Sequence, residues 1–250
     1  MIIRLVSAAL VAGFLAAVVA TGLQFALTSP LILKAEVFEA QAGKQASLSS
    51  PFAHLIVPAH GDAHGHGEGG AAEAWQPAPG LERMAYTGLA TLVGGVGYAL
   101  LLGAVMLALK RVPSPETGLA FGLAGFLTVA LAPAMGLPPE LPGMASAELG
   151  VRQAWWVMTV AATGLGLYLI AVRRVPLTIA GGLVLIVAPH LAGAPLVVDS
   201  DSKLPAALAA QFAARSLGIS LVFWAVIGLA YGWAWNLFAD KAVSGGRSHA

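Results

Sequence analysis

The residues with the most chemistry sit in one short stretch. His60-Gly-Asp62-Ala-His64-Gly-His66-Gly-Glu68 places three imidazoles and two carboxylates within nine residues. Imidazole suits Zn, Cu, Ni and Co among divalent ions, and carboxylates add hard oxygen donors. Gly61, Gly65, Gly67, Gly69 and Gly70 leave the backbone pliable, so these side chains can close around an ion but nothing pre-forms the site. The pattern predicts weak, exchangeable capture of a divalent cation by His60, Asp62, His64, His66 and Glu68, not a structural metal. A wet Gly/Ala/His loop that binds nothing is the reading the same composition leaves open. Ligating imidazoles must be deprotonated, so capture should weaken as pH falls through the histidine range.

Other residues could carry an ion onward. Glu36 and Glu39 are three apart and share a face if their segment is helical; a solvated helix end is the plain alternative. Glu140 lies in the stiff run Leu137-Pro-Pro-Glu140-Leu-Pro-Gly143, where it could guard a pore mouth or simply be wet. Glu148 stands four before Arg152, the favourable helical order for an ion pair. His190 follows Pro189, which cannot donate a backbone hydrogen bond; broken helices of this kind can line ion paths. An interfacial histidine at a helix end is the alternative there. Trp155 and Trp156 read as aromatic anchors at the membrane surface, with no chemistry of their own.

The elements that must position these residues follow from composition. Of 250 residues, 58% are hydrophobic and 10% charged, against about 45–50% and about 25% in an average soluble domain. Thirteen basic and twelve acidic residues cannot wet the surface of a soluble chain this long, so a multi-span membrane protein is expected. A net charge of +1 leaves no basic patch for nucleic acid, and the absence of cysteine removes disulfides, thiolate metal sites and Fe–S clusters. There is no P-loop, Gly-x-Ser-x-Gly, His-Glu-x-x-His or Gly-x-Gly-x-x-Gly run, so no catalytic or ATP-hydrolysing motif is visible.

Apolar runs predict an all-α bundle in one membrane domain with about six transmembrane helices, at 5–27, 85–109, 119–135, 154–172, 177–191 and 217–238. The run at 177–191 is short and contains Pro189, so five is the other count. Pro30 is expected to stop the first span, leaving 30–83 as a long polar loop. That first run exceeds the apolar core of a signal peptide, although Arg4 precedes it as such a segment requires. Gly118-x-x-x-Gly122 and Gly228-x-x-x-Gly232 suit close helix contact.

Orientation follows from basic density. With the N-terminus inside, short inner segments hold Arg4, Lys110, Arg111, Arg173, Arg174, Lys241 and Arg247, while the 30–83 loop lies outside. Ten of the twelve acids then face the exterior, a surface attractive to cations.

Several segments in order resemble the CbtA family, the larger subunit of a predicted bacterial cobalt transporter. They are Pro30-Leu-Ile-Leu-x-Ala-Glu36-x-x-Glu39, Trp75-x-Pro-Ala-Pro-Gly-Leu-Glu82-Arg83, Gly136-Leu-Pro-Pro-Glu140-Leu-Pro-Gly143, Arg152-Gln-x-Trp155-Trp156 and Pro189-His190-x-x-Gly193-Ala-Pro195. The resemblance implies Co²⁺ uptake across the bacterial cytoplasmic membrane for cobalamin synthesis. It also implies a small one-span His-rich partner, CbtB, and often five spans. No tightly bound cofactor is expected; Co²⁺, or alternatively Ni²⁺, is the cargo. Three functions remain in play: a permease, a metal-binding accessory or receptor subunit that conducts nothing, and a membrane enzyme. The enzyme would need Glu140, Glu148 and His190 to converge.

Overall fold

The computed structural model describes residues 1–48, 77–197 and 204–247, with backbone only beyond residue 41 in the second helix and beyond 239 in the last. The capture residues His60, Asp62, His64, His66 and Glu68 lie outside the described residues. Every regular element described is helical: α1 (Ile2–Leu23), α2 (Ser29–Leu48), α3 (Leu81–Ala108), α4 (Pro115–Gly125), α5 (Ala132–Ala134), α6 (Leu149–Tyr168), α7 (Pro176–Ala192) and α8 (Ala206–Arg247). Wide π turns at Gln24–Thr28, Phe126–Leu131 and Leu169–Arg173 interrupt them. Among the described residues, five continuous helical segments are long and apolar enough to cross a membrane: Ile2–Gln41, Leu81–Ala108, Pro115–Ala134, Leu149–Arg173 and Ala206–Ala239. Apolar α7, at 17 residues, is shorter.

The chain does not stop at Pro30. It stays helical to Leu48, so the first part of the expected 30–83 loop is a helix. Proline costs a helix its own N–H and crowds the carbonyl four residues back. Here a π turn immediately precedes it: the Ser29 N–H bonds to the Gln24 carbonyl, five back, and the widened turn makes room for the ring. Pro133 is handled the same way, with the Ala132 N–H on the Leu127 carbonyl.

Helices α1, α3, α4 and α8 form the body of the bundle. Their contacts are made by small residues. A Cβ on Gly13 would stand 2.5 Å from the Val96 nitrogen, and one on Gly95 would stand 2.7 Å from the Gly13 oxygen, so α1 and α3 touch backbone to backbone. The two expected glycine pairs meet each other across α4 and α8, where a Cβ on Gly118 would overlap the Gly228 carbonyl. Ala8, Ala9, Ala12 and Ala16 are fully buried and pack with Ile227 and Tyr231. Helices α6 and α7 form a hairpin beside this body, crossing at Gly166 and Gly182, each of whose Cβ would be 2.6 Å from the other's carbonyl oxygen.

Two arginines tie α1 to α8 at opposite ends. Arg4 Nε donates to the Trp235 carbonyl at 2.7 Å and its guanidinium lies 4.2 Å from that indole's centroid. Arg215 Nη1 donates to the Leu27 carbonyl, inside the π turn, at 2.9 Å. The two ties are about 30–35 Å apart along either helix, the thickness of a bilayer's hydrocarbon core. The end with Arg4, Lys110 and Arg111 is the basic end below, and the opposite one the loop end.

Candidate functional site: the loop end of the bundle

The loop end is built from α2, the segment after α5, the start of α6 and the end of α7. Leu141, from the Pro-rich segment, is buried with Leu31 and Ala35 of α2, and Met144, Leu204, Leu208 and Phe212 pack around them. This apolar knot holds the 137–143 segment against α2. Gly143, at φ 78°, brings the backbone to Glu39, whose carboxyl carbon would lie 3.6 Å from a Cβ there.

The expected carboxylates are placed individually. Glu36 and Glu39 are on one helix, which meets the condition for their sharing a face. Glu36 is held by Arg83 of α3, at 2.6 Å and 3.3 Å from its two oxygens. Glu140 is held by Arg152 at 2.9 Å. The expected Glu148–Arg152 ion pair is therefore not formed. Glu148 instead stands at the N-cap of α6 and accepts from the Gly150 N–H at 3.0 Å. A carboxylate there meets the orphan N–H groups and the positive end of the helix dipole, a competing partner that helical spacing does not reveal. Among the described residues, no three His, Asp or Glu side chains stand close enough to hold one metal ion.

His190 lies deeper, near the end of α7. Its ring meets the Trp155 indole edge-on, centroids 6.1 Å apart and planes at 69°. Its Nε2 is buried with no hydrogen-bond partner, and so is Trp155 Nε1. Pro189 beside it is buried in the helix and cannot supply the N–H that the Leu185 carbonyl would otherwise take. Gly136 packs directly on the indole: a Cβ there would be 2.5 Å from it and 2.8 Å from Ala194. Trp155 is thus no lipid-facing anchor. It is 6% exposed, whereas Trp156 at 38% keeps the surface position.

Sequence reasoning missed the face that Trp155 begins. Trp155, Thr159 and Thr163 recur every four residues and are all buried. Thr159 Oγ1 donates to the Trp155 carbonyl at 2.9 Å, while Thr163 Oγ1 has no partner. Hydroxyls at i and i+4 in an apolar run were the available signal. A second polar layer joins α1 to α3, where Thr91 Oγ1 donates to Gln24 Oε1 at 3.2 Å at the start of the π turn.

Chemically, the hairpin offers a buried imidazole nitrogen, an indole N–H and a hydroxyl, and Arg152, one turn before Trp155 on α6, is paired with Glu140. A neutral imidazole can offer a lone pair to a borderline divalent cation. One such nitrogen makes a passing contact, not a storage site.

The family model described as "Probable cobalt transporter subunit (CbtA)" matches residues 2–236. The chain belongs to that family. The match takes in four of the five described spans whole and the last as far as residue 236, together with Trp155 and His190, so the chain is a multi-pass membrane helix bundle of a transport system. No curated protein and no solved structure matches it.

Proposed function

We propose that this CbtA chain is the membrane subunit of a Co²⁺ uptake system of the bacterial cytoplasmic membrane, supplying metal for cobalamin synthesis, with Ni²⁺ as the alternative cargo. The family match carries the reading. In it, the basic end faces the cytoplasm, because short segments rich in Lys and Arg are retained inside. Arg4 against Trp235 brings α1's start and α8's far part to one end, which favours an even number of crossings, with α7 as the sixth. The 30–83 segment is then exterior, and His60, Asp62, His64, His66 and Glu68 capture the ion. Glu39 draws cations toward the loop end, Glu36 and Glu140 joining it only where their arginines let go, and His190 receives the ion in the hairpin. Glu148, as a cap, borders this route.

One observation favours the receptor reading beside it. Glu36 and Glu140 are already neutralised by arginines, and the described residues form no three-ligand site. A conducting pore could then need ligands from a second chain, the small one-span His-rich CbtB-like subunit.

The test is ⁵⁷Co uptake in cells lacking other cobalt importers, with this chain alone and with the small subunit. Uptake by the chain alone makes it the permease. Uptake only with the partner makes it half of a pore or its metal receptor. No uptake in either case, with the protein in the membrane, defeats the cobalt reading. Uptake should also fall between about pH 7.5 and about pH 5.5 at constant membrane potential, and a flat profile removes the histidine capture step.

A further inference from the structure

The crevice at the basic end has no part in that reading. It lies between the start of α1, the end of α3 and α8, with a volume of about 290 Å³. Its walls include Leu5, Leu107, Tyr231 and Trp235, and its rim carries Lys110 and Arg111. We propose that it binds an anionic phospholipid, with the phosphodiester between Lys110 and Arg111 and an acyl chain along the apolar walls.

Charge supports this occupant first. No ion pair engages Lys110 or Arg111 among the described residues, and Arg4 adds a third cation on the Trp235 wall. The carboxylate described nearest in sequence, Glu116, is exposed and accepts from the Ser114 hydroxyl at 2.8 Å. A crevice apolar within and cationic at the rim complements an amphiphile with a negative head.

Backbone geometry supports it independently. Helix α3 ends in a Schellman turn: the Lys110 N–H donates to the Leu107 carbonyl at 2.9 Å and the Arg111 N–H to the Met106 carbonyl at 2.8 Å. Lys110 takes the left-handed position, at φ 53°, where glycine is the relaxed residue. The backbone thus carries strain at the residue that sets a cation on the crevice rim, as it does where a side chain is held for a ligand. The other left-handed basic residue, Arg174 at φ 54°, differs: its Nε is spent on the Ala171 carbonyl at 2.8 Å.

The experiment is native mass spectrometry of the full chain from detergent, with phosphatidylglycerol or phosphatidylcholine of matched acyl chains. Wild type should retain the glycerol lipid about fivefold or more over the choline lipid, the preference expected of one or two cations at a headgroup. Lys110→Gly with Arg111→Gln should lose that preference while its thermal midpoint without lipid is unchanged or higher, because glycine relaxes the turn. Lys110→Gly alone should lose part of it and keeps the test valid if the double variant folds poorly. Inorganic phosphate should not displace the lipid. Equal retention of both lipids by wild type, a preference that survives in Lys110→Gly with Arg111→Gln, or displacement by phosphate would each overturn the assignment.

Discussion

The body of the bundle and its hairpin are made of similar apolar helices but spend their interiors differently. In the body, α1, α3, α4 and α8 close on Ala and Gly until backbones touch. In the hairpin, α6 and α7 also cross on a glycine pair, yet they hold all three buried side-chain atoms described as having no partner: Trp155 Nε1, Thr163 Oγ1 and His190 Nε2. Each such atom costs about 1–3 kcal/mol relative to a paired one. An element serving only to fill the bilayer would gain by replacing them with Leu or Phe. The body thus carries the closest backbone packing, and the hairpin carries the buried polar atoms.

The largest expected effect breaks the body. Gly118→Leu puts a side chain on the Gly228 carbonyl and should separate α4 from α8, costing about 3 kcal/mol or more and leaving little folded protein in fluorescence-detected size exclusion. Gly181→Leu, with nothing within 4 Å of its Cβ, should fold normally. Equal yields from both variants would mean that backbone contact is not what holds the body.

The next variant sharpens the contrast from the hairpin side. Trp155→Phe keeps a ring against His190 but removes the orphan donor. Thermal stability should be unchanged or rise by about 1 kcal/mol, while metal uptake falls several-fold. A stability loss with normal uptake would make Trp155 an ordinary core residue.

Smaller effects should come from the loop end. Arg152→Gln strips the partner from Glu140, whose pair is 29% and 20% exposed, and should cost about 1 kcal/mol. Arg83→Gln, from the wetter pair with Glu36, should cost under about 0.5 kcal/mol. Denaturation in micelles would show the order, and a reversed order would contradict the burial argument. Glu148→Ala removes the α6 cap and should cost about 0.5 kcal/mol by the same assay; no change would mean that water serves the Gly150 N–H as well.

The contrast between the two regions also explains what the sequence discloses. Hydrophobic runs report where helices lie in lipid, because every backbone group there must be bonded internally, and among the described residues five helices are long and apolar enough to cross. The glycine pairs at 118/122 and 228/232 were legible because close approach has a spacing. Pro30 was misjudged because a π turn is a local choice of hydrogen-bond register, invisible to hydropathy. The Glu148–Arg152 pair that spacing predicts does not form because a cap and a contact across twelve residues outcompete an i, i+4 pair. Trp155 and Trp156 are adjacent letters with opposite fates, and only the helix's rotation, set by Gly166 on Gly182, separates them. The capture residues between His60 and Glu68 lie outside the described residues and rest on composition alone.

On the proposed reading, His190 Nε2 receives the cargo in the hairpin. The most direct measurement is ⁵⁷Co uptake by His190→Leu against wild type, at matched membrane levels, with the small subunit present and thermal stability read in parallel. Leucine keeps an apolar side chain against Trp155 and removes an unpaired buried nitrogen, so stability should hold or rise while uptake falls about tenfold or more. Wild-type uptake by a stable His190→Leu protein would contradict the account and leave the hairpin a structural element.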